Sequence, residues 1–216
     1  MHQSMRFECY GESLTLERGR VDGDTFLVDC EETPLIALCD SIRHAGRPPR
    51  RTLELFRRLF AQAQPEEIGR FSTWAHWMGL LDFALLRRSQ SAFVAVAAVG
   101  DRIIGAAVGS CRAYLFDGRG GTTALVGDRQ QSPNRLRLGT GDAKVSPIEL
   151  DLQPQDLLLL LSEAAWTPLR MSELRRAVAG AHLRHVAAAS PAVLQAAASR
   201  SDSSRDMTVV ALQRIE

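Results

Sequence analysis

The sequence predicts an α+β domain in which strands are layered between helices, because short β-type runs surround two separated pairs of helix-type runs. Three observations carry this. Apolar residues recur at three and four in RTLELFRRLFAQAQ and PEEIGRFSTWAHWMGLLDFALLRRS, the spacing of amphipathic helices. SAFVAVAAV, RIIGAAVG and CRAYLFD are separated by turn signals at Gly100–Asp101 and at Gly118, Gly120 and Gly121, which is the pattern of an antiparallel meander. DLLLLLS lacks alternation altogether, as expected of a strand covered on both faces.

Taken in order, strands are expected over Arg6–Tyr10, Thr25–Asp29 and Pro34–Cys39, followed by the two long helices. Pro65 with Glu66 and Glu67 starts the second helix, since proline loses nothing in a first turn and acids there oppose the helix dipole. After the meander, RLRL and SPIELDL continue the β pattern. MSELRRAVAG and SPAVLQAAASRS are two further helices, and DMTVVALQR is a closing strand. Trp74, Trp77 and Trp166 are expected as core anchors.

At 216 residues and 45% hydrophobic content the chain suits one domain with a sizeable core, over residues 1–216. A net charge of +1, spread along the chain, argues against nucleic acid or an anionic membrane as partner. The cluster Arg43, Arg47, Arg50 and Arg51 reads as a solvated loop and helix start rather than a phosphate-steering patch. The four cysteines form no CxxC pair, and Cys39 and Cys111 lie in or beside apolar runs where buried reduced thiols are expected. With no signal-like N-terminus and no membrane-length apolar run, a reducing, cytoplasmic setting is expected.

Four acids stand at junctions between apolar runs and polar loops: Asp24, Asp40, Glu163 and Asp206. A carboxylate at a strand end is held rigidly while the loop leaves coordination space, so these four are candidates for a split metal site. Asp22 lies close enough to compete with Asp24, and a glutamate capping the turn before Trp166 is a structural alternative for Glu163. His182 and His185, three apart on an alanine-rich stretch with no third partner, read as non-ligating.

The order of Asp24 before FLV, Asp40 after LIALC, VGSCRAYLFDG, LQPQDLLLLLSEAAW and a final DMTVV resembles the metal-dependent protein phosphatases of type 2C, over nearly the whole chain. DSIRHAG is most similar to the compact bacterial branch, with His44 on that branch's histidine. The resemblance implies a four-layer α-β-β-α sandwich of two antiparallel sheets flanked by helix pairs. It implies two Mn²⁺ or Mg²⁺ ions activating a shared water for in-line displacement at phosphorus. Asp40 would bridge the metals, the carbonyl of Ser41 would bind one, and Glu163 and Asp206 would complete it. Asp24 would act through metal-bound waters. Arg20, with Arg18 competing, would clamp the phosphate, and His44 would protonate the leaving alkoxide.

The departures define a second reading. Ser41 stands where the family has glycine, Glu163 where it has aspartate, and Ser110 replaces the aspartate of a Gly-Asp-Ser-Arg turn, which removes a third, weaker metal position. The function expected is therefore a metal-dependent serine/threonine phosphatase acting on a bacterial signalling or regulatory protein, and the alternative is a degenerate domain that binds a phosphoprotein or regulatory partner without turnover. Ser41, Ser110, Ala164 and Met207 favour the second. The retained acids favour the first, because clustered like charges repel unless a cation is present.

Overall fold

The computed structural model describes residues 6–15, 23–42, 50–126, 136–182, 185–202 and 205–215, with the backbone alone for Ile42, Ala181 and His182. The strands are β1 (Phe7–Leu14), β2 (Asp24–Asp29), β3 (Leu35–Ile42), β4 (Gln90–Val99), β5 (Arg102–Val108), β6 (Arg112–Phe116), β7 (Thr122–Val126), β8 (Ser146–Asp151), β9 (Leu157–Leu161) and β10 (Met207–Arg214). The helices are α1 (Arg50–Ala61), α2 (Pro65–Ile68), α3 (Phe71–Leu85), α4 (Glu163–Trp166), α5 (Met171–His182) and α6 (Val186–Ala198).

Two antiparallel sheets form, ordered β1-β10-β9-β6-β7 and β2-β3-β4-β5-β8. The period of two along each strand sorts side chains into three apolar layers. Leu157, Leu159 and Leu161 pack with Leu174, Val178, Val193 and Leu194, so α5 and α6 cover the first sheet. Leu35, Ala37 and Cys39 pack with Phe56, Trp74, Trp77 and Met78, so α1 and α3 cover the second. Ile36, Leu38, Leu158, Leu160, Val210 and Leu212 fill the space between the sheets. The five leucines of β9 are buried on both faces, as their lack of alternation implies. This is the expected four-layer α-β-β-α sandwich.

Several local expectations are corrected. The run from Pro65 to Ser89 is not one helix: α2 ends at Gly69, and Arg70 takes extended angles (φ −116°, ψ 123°) before α3 begins. Apolar periodicity continues across that break and so hides it. Of RLRL, Arg135 lies outside the described residues, and Leu136, Arg137 and Leu138 contribute one bridge, between Leu138 and Ser91, among the described residues. Its place beside β6 is taken by β7, whose half-exposed TTALV has no clean alternation to announce it. Trp74 and Trp77 are core residues, whereas Trp166 is half-buried at the edge of its cluster.

The thiols divide in two. Cys39 and Cys111 are free and buried, as expected. Cys9 and Cys30 are joined by a disulfide, contrary to the reduced state read from their spacing. The physical reason is topological: β1 and β2 are edge strands of different sheets that lie against each other, and this brings the two Cα atoms to 6.1 Å. No helix among the described residues is long and apolar enough to cross a membrane.

Candidate acidic centre

The inner faces of the strands build the centre. Along β3 the inward side chains run Ile36, Leu38, Asp40, and along β2 they run Val28, Phe26, Asp24. Each apolar series thus ends on a carboxylate at the same end of the sandwich. Asp24 and Asp40 are directly opposite in the β2–β3 register, and both are buried. From the other sheet, β9 runs out through Ser162 into Glu163 at the start of α4, whose backbone N–H donates to Asp40 Oδ2 at 3.1 Å. Asp206, just before β10, accepts from the Gly23 N–H at 2.6 Å, which brings it beside Asp24. Four acids spread over most of the sequence therefore meet where the two sheets part.

Two arginines meet them there. Arg205 Nη2 lies 3.5 Å from Asp40 Oδ2 and 3.2 Å from Glu163 Oε2. Arg137 Nη2 lies 3.1 Å from Glu163 Oε2 and donates to Ser110 Oγ at 3.2 Å, while its Nη1 donates to the main-chain carbonyl of Asp40 at 3.4 Å. Ser110 in turn donates to Glu163 Oε2 at 3.1 Å. Below this layer the indole of Trp166 donates to the Ser110 carbonyl, and the buried Arg112 guanidinium stacks over the Trp166 ring at 4.6 Å.

The electrostatics follow from these neighbours. Burial, then the Asp40 charge, raises the Asp24 pKa well above the usual carboxylate range, against the lowering effect of the Ser162 and Thr208 hydroxyls. Burial also raises Asp40, opposed by Arg205 and Arg137. For Glu163 burial is the largest influence and acts upward, but Arg205, Ser110 and Arg137 together bring its pKa below the ordinary value. Burial disfavours the charged form of Arg205, and the Asp40 and Glu163 carboxylates more than restore it.

Of the residues singled out from the sequence, Asp24, Asp40, Glu163 and Asp206 come together. Ser41 lies beside them, but its side chain faces away, bonding Ser91 Oγ at 2.9 Å. Arg18, Arg20, Asp22, Arg43, His44 and Arg47 lie outside the described residues. His185 precedes α6 as an exposed residue. Arg137 and Arg205 were missed: the strand-end criterion selected acids, and nothing in the sequence paired Arg205 with a residue 165 positions away.

The donors among the described residues do not fit a divalent ion as they stand. Among the described residues no three carboxylate, thiol or imidazole groups converge to hold a metal. Asp40 and Glu163 instead take guanidinium partners, and Asp206 takes a backbone N–H.

No protein-family model and no curated protein matches the chain. Solved structures do. A serine/threonine phosphatase from S. agalactiae is similar over 97% of this chain and 100% of its own, with a TM-score of 0.78 and 15% identity. The catalytic domain of the serine threonine protein phosphatase PstP, in complex with two manganese ions, is similar over 99% and 100%, with a TM-score of 0.77 and 14% identity. PppA, a key regulatory component of T6SS in Pseudomonas aeruginosa, is similar over 97% and 98%, with a TM-score of 0.76 and 16% identity. The chain has the fold of the type 2C metal-dependent serine/threonine phosphatases over nearly its whole length.

Proposed function

We propose that the protein is a non-catalytic domain of type 2C fold that binds a phosphoprotein or regulatory partner. The observation behind this reading is that three of the centre's four carboxylates each have an oxygen engaged within the chain: Asp206 Oδ2 by the Gly23 N–H, Asp40 Oδ2 by the Glu163 N–H, and Glu163 Oε2 by the Ser110 hydroxyl. Each donor takes up acceptor capacity at an oxygen that would otherwise be open to a hard cation.

One observation favours the second reading, a Mn²⁺- or Mg²⁺-dependent serine/threonine phosphatase acting on a bacterial signalling protein. Asp24 Oδ2 is buried with no hydrogen-bond partner among the described residues, and Asp24 lies opposite Asp40 in the β2–β3 register. Two ions, when bound, would supply an activated water and clamp the phosphoryl oxygens. Asp40, Glu163, Asp206 and the Ser41 carbonyl would then hold them, Asp24 would act through metal-bound waters, and Arg20 and His44 would serve as phosphate clamp and proton donor.

Hydrolysis of p-nitrophenyl phosphate and of a phosphothreonine peptide separates the two. Assays run with Mn²⁺, with Mg²⁺ and with chelator, alongside Asp40→Asn. The expected result is no turnover above that of Asp40→Asn in any condition. Metal-dependent turnover that Asp40→Asn abolishes would establish the phosphatase reading instead.

A further inference from the structure

The two arginines reproduce the ligand chemistry of a hard cation. Between them they contact the Asp40 and Glu163 carboxylates, the Asp40 main-chain carbonyl and the Ser110 hydroxyl, and oxygens of these kinds are what Mg²⁺ or Mn²⁺ takes. A guanidinium is permanently charged and offers its N–H groups in a fixed planar fork, so it can satisfy several oxygens at once. Arg137 is the more enclosed, its side chain 11% exposed, and that of Arg205 is 49% exposed. Arg137 is also held from behind. It precedes a loop whose Gly139, Thr140, Gly141 and Ala143 N–H groups all donate to the buried Asp82 carboxylate on α3.

We infer that Arg137 and Arg205 are the resident cations of the acidic centre, excluding a divalent metal, and that a metal site appears when they are removed. The inference rests on the non-catalytic reading and deepens it: the fold keeps its clustered acids because the chain supplies its own counter-charge.

The test is Mn²⁺ binding, followed by the loss of the free-Mn²⁺ electron paramagnetic resonance signal and by Tm with and without chelator. Wild-type protein should leave the signal unchanged and shift by no more than about 1 °C. Arg137→Gln/Arg205→Gln should melt lower than wild type in chelator and bind Mn²⁺. At about 100 times its dissociation constant the metal should raise the Tm of that variant by roughly 5–10 °C. If the double variant does not fold, Arg205→Gln alone serves, because Arg205 is the guanidinium on the Asp40 carboxylate and its side chain is half exposed; it should bind Mn²⁺, more weakly than the double variant, where Arg205→Lys, which keeps the charge, does not. Wild-type protein that binds Mn²⁺ as tightly as the variants would overturn the inference, and so would a folded Arg205→Gln protein that binds none. Turnover is measured separately, so wild type that binds Mn²⁺ without hydrolysing phosphate defeats this inference alone. Turnover without bound Mn²⁺ defeats only the functional reading.

Discussion

Asp24 is the most costly residue of the centre. It is 5% exposed, it lies opposite a second carboxylate across the β2–β3 ladder, and one of its oxygens has no hydrogen-bond partner among the described residues. Its folded-state pKa is raised, chiefly by burial. A raised value in the folded state means that stability is fully present below the unfolded pKa, near 3.9, and is lost as pH climbs through the folded value. Asn cannot ionise and has the shape of the protonated acid. Asp24→Asn should therefore gain roughly 1–3 kcal/mol at pH 8, lose most of that advantage at pH 4, and flatten the dependence of Tm on pH. An Asp24→Asn protein less stable than wild type at pH 8 would show that the charge is compensated in the native state.

The same scale shows why the site was only half legible in the sequence. An acid that ends an apolar run is conspicuous, since a strand interior would exclude it, and Asp24, Asp40 and Asp206 stand out for that reason. Arginine at the end of a strand is ordinary surface composition, and its long stem lets it reach partners that no local spacing specifies. Arg205 adjoins Asp206 in the chain, yet it pairs with Asp40 and Glu163.

Among the elements, α3 and the loop after Leu138 form the unit on which Arg137 depends. Asp82 accepts four backbone N–H groups, three on Oδ1 and one on Oδ2, from a loop with left-handed glycines at 139 (φ +91°) and 141 (φ +86°). Asp82→Ala leaves those donors without their acceptor in a largely enclosed setting. We expect a loss of about 3–5 kcal/mol and a fall in Tm of roughly 8–15 °C, measured by thermal unfolding. A fall of under 3 °C would mean that water replaces the carboxylate at no cost. This unit was not visible in the sequence, where Asp82 reads as a polar position on an otherwise apolar helix. Helical periodicity made α1 readable, and the unbroken leucine run made β9 readable. The four-residue α4, whose first residue supplies a site carboxylate, is too short to show any period.

For the whole molecule, the layered architecture could be read in advance because three apolar layers need three kinds of run: alternating, helical and continuous. The covalent link between the sheets could not, since disulfide geometry depends on edge strands meeting across the sandwich. Thiol titration with a chromogenic disulfide reagent tests the arrangement. Native protein should show no reactive thiol, because Cys39 and Cys111 are fully buried and burial raises the Cys39 pKa to about 12. Unfolding without reductant should expose two thiols, and unfolding after reduction and removal of the reductant should expose four. Four thiols in protein unfolded without reductant would disprove the Cys9–Cys30 bond.

The pairing of β1 with β10 has a consequence for the order in which the chain can assemble. β2, β3, β4 and β5 are consecutive strands of one sheet, each beside the next, and they can join as they emerge during synthesis. β1 is made before the other described strands, but its hydrogen-bonding partner begins at Met207, so it must wait until all of them have been made. Cys9 is anchored to Cys30, only 21 positions on, and not to that distant partner. In the oxidised chain the earliest strand is moored to the early-forming sheet, held close to the groove that β10 will complete.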